Sequence, residues 1–296
     1  GIFNDRLSVF KTRLLPTAQQ LSNKAEQARL ASREGEAKIL DTVASQLLNT
    51  IHGFLKYPTD FQLEFDDGFA AQLAAWMTGT PQLRAAICNG LADFIFNMAD
   101  FSMLAGDDAL YFPRGFANEQ AEMNHALFRE RFASKFLPCL FNIAITSECE
   151  ERSFVLRCCE AVLSCVDGVV CADYLNKLMA RLPAVSGNAD QTTALLDIAS
   201  SLVKYTNGDL AGLMAVAVEG VTTTDGHIQK RAYRILSIVQ QHNPHLLLSD
   251  HGIISRVFVD CAVSCDPSAR KQRFKLLSQI DIASINPEVR EQLVPA

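Results

Sequence analysis

The sequence predicts an all-α protein built as an array of helical repeats. Apolar residues recur three and four positions apart along nearly the whole chain, whereas the every-second-residue alternation of a half-buried strand is scarce. The breaks between periodic stretches carry helix-start chemistry. A loose similarity also returns about every 40 residues, the usual period of HEAT and armadillo helix pairs. One such pair cannot hide its apolar face alone, so neighbours must stack on it. The expected object is a HEAT/armadillo-like solenoid spanning 1–296 as a single array of about six pairs.

Taken in order, Thr80-Pro81, Asp266-Pro267 and Asn286-Pro287 each set a capping side chain before a proline, which suits the first helical position because its missing N–H costs nothing there. Ser147 and Glu150 have the spacing of a capping box. Trp76, Phe94, Phe96 and Phe101 fall at helical spacing, where core packing is the expected role and a base-stacking platform the alternative. Residues 106–118, GDDALYFPRGFAN, read as a longer loop held down by Tyr111, Phe112 and Phe116. About a dozen helices result, joined by short connections.

After Asp225 the chain runs GHIQKRAYRIL, close to the D-x-x-[VI]-[RK]-x-x-A-x-x-x-L rhythm of a HEAT second helix, with Gln229 where a basic residue is usual. PQLRAAICNGL from Pro81 and DPSARKQRFKLL from Asp266 echo it. On a helical wheel Ala232, Ile235, Leu236 and Val239 gather with Ile228. Lys230, Arg234, Ser237 and Gln241 lie opposite, with Arg231 at the edge, so these cations are expected to face water.

Composition limits the function classes. The chain is 49% hydrophobic and 20% charged with 15 Gly and 10 Pro, which describes a packed protein rather than a disordered one. The net charge of -6 leaves nucleic-acid contact to a local patch. Such a patch exists in the sequence. Between residues 226 and 280, Lys230, Arg231, Arg234, Arg256, Arg270, Lys271, Arg273 and Lys275 face only Asp250, Asp260 and Asp266, a net +5 that leaves -11 for the remainder. Successive second helices of a solenoid lie side by side, so Lys230, Arg231, Arg234, Arg270, Lys271, Arg273 and Lys275 are the candidate contact residues for RNA or an acidic partner. The other reading has them solvated or bridging to a neighbouring repeat. Arg273 points near the apolar direction of Ala269, Leu276 and Ile280 and must be paired, snorkelling or at an open end.

No nucleotide-binding, serine-hydrolase or zinc-protease motif occurs, and an enzyme with a dispersed site is the weakest class considered. No metal or other cofactor is expected. His242, His245 and His251 match no zinc spacing, and Pro244 among them suggests a turn between helices. Asp66-Asp67-Gly68 lacks the oxygens of a calcium loop, and Asp107-Asp108 reads as a turn. Nine cysteines without a C-x-x-C pair fit a reducing compartment, and Cys158-Cys159 sits at core spacing. No apolar run has the length of a membrane span. Gly1 in place of Met suggests a piece of a longer chain.

Several segments resemble one family when read in order: LLPTAQQLSNKA from Leu14, AKILDTVASQL from Ala37, PTDF from Pro58, KFLPCLFNIA from Lys135, TALLDIASSLV from Thr193, IQKRAYRILSIV from Ile228 and ARKQRFKLLSQI from Ala269. They are similar, in the same order, to segments of the ribosomal RNA-processing protein 12 family, HEAT-repeat factors of eukaryotic ribosome assembly. The resemblance implies a non-enzymatic scaffold of the nucleolus and nucleus, shuttling to the cytoplasm, that takes part in pre-rRNA processing, subunit maturation and nuclear export. It implies pre-ribosomal particles as partners, through rRNA and assembly-factor proteins, with a nuclear-transport GTPase and nucleoporins beside them. An importin-like transport receptor or adaptor that wraps protein cargo or a small GTPase is the competing reading of the same repeats.

Overall fold

Each helix is held by how its ends and faces are satisfied. The computed structural model describes residues 9–56, 67–79, 81–103, 118–185, 187–248, 253, 255–261, 264–281 and 287. Among them every regular element is helical. A π-helical turn, Phe10–Leu14, leads into α1 (Leu15–Leu30), followed by α2 (Glu34–Lys56), α3 (Asp67–Met77), α4 (Pro81–Met103), α5 (Asn118–Arg131), α6 (Ala133–Thr146) and α7 (Cys149–Leu163). Next come α8 (Gly168–Arg181) with a 3-10 turn (Leu182–Val185), α9 (Ala189–Leu202), α10 (Ala211–Gly220), α11 (Gly226–His242) and α12 (Pro244–Leu248). A second π-helical turn (Arg256–Asp260) precedes α13 (Arg270–Leu277). The expected loop at 106–118 lies outside the described residues apart from Asn118, which opens α5.

The backbone divides into two units, Gly1–Val166 and Asp167–Ala296. In the first, α1 packs on α2, α3 on α4 and α6 on α7, and the second helices follow one another, α2 against α4 and α4 against α7. Helix α5 packs on α4 and runs into α6 through the single residue Phe132. In the second unit α8 packs on α9 and α10 on α11, with α9 against α11 and α11 against α13. This stacking of pairs through their second helices makes the fold all-α, of the HEAT/armadillo helical-repeat class.

The sequence explains which helices sit at the centre. Leu83, Ile87, Cys88, Leu91, Ala92, Phe94 and Ile95 of α4 are all buried, on a helix touched by α1, α2, α3, α5 and α7. Helix α9 is buried at every position from Thr193 to Leu202, and its small side chains, Ala194, Ala199, Ser200 and Ser201, permit close approach on all sides. The buried hydroxyl of Ser200 donates to Leu196 O at 2.9 Å, so it needs no outside partner. Pro138 stands inside α6 and removes one helical N–H, at an exposed position where water reaches the freed carbonyl.

One device recurs in five pairs. Glu148, Asn188, Asp225 and Ala269 occupy the cap positions of α7, α9, α11 and α13, and the residue four further on reaches back to a carbonyl ending the preceding helix or turn. Arg152 Nε donates to Ala144 O at 3.1 Å, Thr192 Oγ1 to Val185 O at 3.0 Å, Gln229 Nε2 to Thr223 O at 2.6 Å and an Arg273 terminal nitrogen to Phe258 O at 2.7 Å. On α4, Arg84 is the fourth residue, and its Nε donates to Met77 O at 2.8 Å. The last carbonyls of a helix lack intrahelical donors, so each of these bonds closes one helix end and ties the pair together.

Two sequence expectations about caps need correction. Helix α7 is capped at Glu148 and begins at Cys149, so Ser147 and Glu150 do not stand as cap and third residue; instead the Ser147 hydroxyl accepts from Arg84 at 3.3 Å. Asp266-Pro267 does not open α13, which starts at Arg270. The Asp266 carboxylate accepts from Ser268 N at 2.8 Å and Ser268 Oγ at 2.6 Å, and this local turn takes up the side chain that a helix cap would use. Helix α13 is accordingly short, Arg270–Leu277. Pro244, read as marking a turn between helices, begins the short helix α12. Pro81 opens α4 as expected, while Thr80 and Asn286 lie outside the described residues.

Candidate functional site

The candidate cations sit on α11 and α13, and the geometry of these two helices decides what they present. Asp225 caps α11, its carboxylate accepting from His227 N at 2.8 Å and Ile228 N at 3.2 Å. From there the helix is buried at Gln229, Ala232 and Tyr233 and continuously from Ile235 to Gln240. The amphipathic surface helix expected from the wheel is therefore an interior one with an exposed strip.

Helix α13 runs parallel to α11 in fixed register. Near their starts Ser268 Oγ donates to Gly226 O at 3.4 Å, and near their ends Ser237 Oγ donates to Gln279 Oε1 at 2.8 Å. Both contacts join residues 42 apart, so the two helices keep one constant register along their length. The closeness at the first contact requires glycine: a Cβ on Gly226 would stand 2.4 Å from Asp266 Cγ. Ser237, expected on the watery side, is buried because Gln279 covers it.

Gln229 explains why the basic residue usual at its position is absent. Its amide nitrogen donates to Thr223 O at 2.6 Å and to Ser264 O at 3.2 Å, while its oxygen accepts from Asp266 N at 2.8 Å. Arginine or lysine has no acceptor for that last bond.

The seven candidate residues separate into two groups. Lys230, Arg270, Lys271 and Lys275 are exposed, and Arg234 is half-buried. Counted from the cap residues and placed on one wheel of 100° per residue, these five fall within a sector of about 140°. The other two are drawn inward. Arg231 does not face water: its Nε lies 2.8 Å from the carboxylate of Asp197 on α9, both side chains being nearly buried, and one of its terminal nitrogens donates to His227 O at 3.1 Å. Asp197 was not legible as its partner because it lies 34 positions away amid an apolar run. Arg273 is half-buried and holds Phe258 O, which makes it a tie between helices.

Phe94 is buried, Trp76 and Phe96 are half-buried, and the Arg157 guanidinium lies 5.9 Å from the Phe96 ring centre. The Phe101 side chain, Asp66, Asp107, Asp108, Tyr111, Phe112, Phe116 and His251 lie outside the described residues. His242 and His245 are exposed, and no group of three His, Cys, Asp or Glu among the described residues is placed to hold a metal ion. Cys88, Cys158 and Cys159 are buried together between α4 and α7. A hydrogen bond with Cys88, then burial, pushes the Cys158 thiol well up, and burial does the same to Cys159. Thiols so held are poor nucleophiles, which leaves Cys158-Cys159 a packing pair. No described helix is long and apolar enough to cross a membrane.

The comparisons with known proteins agree with this architecture. Residues 1–147 match the family model "Ribosomal RNA-processing protein 12, HEAT repeats". The chain is 28% identical over 288 residues to an RRP12-like protein of Gallus gallus, covering 93% of this chain and 20% of that protein. It is 25% identical over 296 residues to an RRP12-like protein of Homo sapiens, covering 97% and 21%, and 22% identical over 292 residues to Ribosomal RNA-processing protein 12 of Saccharomyces cerevisiae, covering 94% and 24%. It thus spans about a fifth to a quarter of the length of these relatives. With the repeat device, the stacked second helices and these matches together, the chain is similar along nearly its whole length to proteins of the ribosomal RNA-processing protein 12 family.

Proposed function

We propose that the chain is a non-enzymatic HEAT-repeat scaffold of eukaryotic ribosome biogenesis, acting in pre-rRNA processing, subunit maturation and export, in the nucleolus and nucleus. Its partners are pre-ribosomal particles, and the exposed cations of α11 and α13 are its contact with rRNA. The observation that supports this reading is the parallel register of two adjacent basic helices together with the exposure of Lys230 on one and of Arg270, Lys271 and Lys275 on the other. The similarity to ribosomal RNA-processing protein 12 supports the ribosomal setting. Lys and Arg on such a stripe neutralise phosphates without reading bases, so binding is strong in low salt and indifferent to sequence.

The test is a titration of the chain with structured and single-stranded rRNA pieces at two salt concentrations. Charge reversal at Lys230, Arg270, Lys271 and Lys275 is expected to abolish binding at the higher salt and to flatten the salt dependence. On a single strand the log–log slope should fall by about 0.7 for each phosphate no longer neutralised. Arg231 and Arg273 are left intact because they hold the fold. Equal affinity of the reversed and unmodified chains contradicts the reading.

A further inference from the structure

We propose that Phe274 is a stacking platform for an unpaired RNA base, which makes the stripe selective for single strands over duplex. The proposal rests on the RNA reading of the stripe and names the class of RNA.

Phe274 is 59% exposed, on a helix whose one fully buried residue is Leu276. Its neighbours on the same helix surface are Arg270, four positions before it, and Lys271, three before it; side chains at those spacings stand about 5–6 Å apart at Cβ. Lys275 follows directly. An apolar ring left in water among cations contributes nothing to the core, and the cations discourage a purely apolar partner. A nucleotide satisfies both at once, since its base has a π-face for the ring and its phosphates pair with the ammonium and guanidinium groups.

The exposure is a property of the position. Phe274 is the fifth residue after its cap residue Ala269, and Lys230 is the fifth after Asp225. Lys230 is exposed although α13 packs against α11, so this phase of a second helix looks outward even with a neighbouring second helix in place. Both residues thus hold the same outward phase on their helices, with Phe274 lying among the cations of α13. A duplex keeps its base faces stacked inside and offers only phosphates, whereas a single strand offers both groups.

The experiment measures fluorescence anisotropy of a labelled oligouridine strand and of a labelled RNA duplex with the whole chain, comparing unmodified protein, F274A, F274W and the four-site charge reversal. The expected result is that F274A weakens single-strand binding about 5- to 100-fold, with the duplex affinity changed less than about twofold and the salt slope unchanged, because the substitution removes base stacking and leaves every phosphate neutralised as before. F274W is expected to restore single-strand affinity, and the thermal melt of F274A to match that of the unmodified chain. Unchanged single-strand affinity of F274A beside a charge reversal that abolishes binding overturns the platform and leaves the stripe standing. Equal weakening on strand and duplex also overturns it. Failure of the unmodified chain to bind either RNA overturns the stripe and the platform together, and points to an acidic protein as the partner of these helices.

Discussion

The Arg231 guanidinium sits 2.8 Å from the carboxylate of Asp197, and this ion pair fastens α11 to α9 from within the second unit. A charge pair so nearly removed from water depends on both members being present. Taking one away leaves the other buried without compensation, a loss of about 3–5 kcal/mol in comparable cases, whereas replacing both with apolar groups of similar size is far milder. Asp197→Ala and Arg231→Met are each expected to lower stability on that scale, and a double variant, Asp197→Leu with Arg231→Met, to recover most of it. Urea unfolding followed by circular dichroism checks this; single losses below about 1 kcal/mol would show the pair to be solvated.

Gln229 joins the connection before α11 to the one before α13, accepting from Asp266 N while donating to Thr223 O and Ser264 O. Gln229→Ala leaves three backbone groups short of a partner and is expected to destabilise the unit by about 2–4 kcal/mol. Gln229→Arg restores donors alone and is expected to fall between, with faster amide exchange at Asp266. An arginine variant as stable as the native chain would mean that the Asp266 bond contributes nothing.

Asp266 titrates with the turn it holds. Hydrogen bonds from the Ser268 hydroxyl and the Ser268 N–H hold its carboxyl below the ordinary carboxylate range. A depressed folded-state value means that the carboxylate's contribution is complete above its unfolded value, about 4, and is lost as pH falls through the folded value. The Ser268 amide is therefore expected to lose exchange protection only under acid conditions below that range. In Ser268→Ala, NMR titration of the Asp266 carboxyl carbon is expected to move up toward the ordinary value; no movement would remove the hydroxyl as a cause.

Cysteine labelling reads the core directly. The hydrogen bond with Cys88 and then burial hold the Cys158 thiol well up, burial does the same to Cys159, and burial followed by the Asp167 charge takes Cys171 up to about 11. Near neutral pH these groups remain thiols, so a disulfide reagent is expected to label half-buried Cys139 before Cys158, Cys159 and Cys171, which react only as the chain unfolds in urea. Prompt labelling of Cys158 in the native chain would contradict the packing of α4 on α7.

Helix class and the start of α11 after Asp225 were legible because they depend on local signals: apolar spacing and, for α4, Pro81 at a helix start act within one turn. What failed depends on partners distant in sequence. The wheel put Arg231 at the edge of the wet face because it contained no Asp197, and put Ser237 in water because Gln279 is 42 residues away. Asp266-Pro267 looked like a helix start, yet Ser268 offers its carboxylate a nearer pair of donors. Arg273 was legible as an anomaly but not as a tie, since the carbonyl it holds belongs to the separate turn at Phe258. The charge segregation was visible in the counts, and only the parallel register of α11 and α13 shows which cations remain outside.

The most direct measurement of the central claim is ultraviolet crosslinking of RNA to protein in native particles purified through the full-length protein, with the crosslinked peptides identified by mass spectrometry. The expected result is crosslinks in peptides of α11 and α13 that carry Lys230, Lys271, Phe274 or Lys275. RNA crosslinks found elsewhere in the protein but absent from these two helices would contradict it.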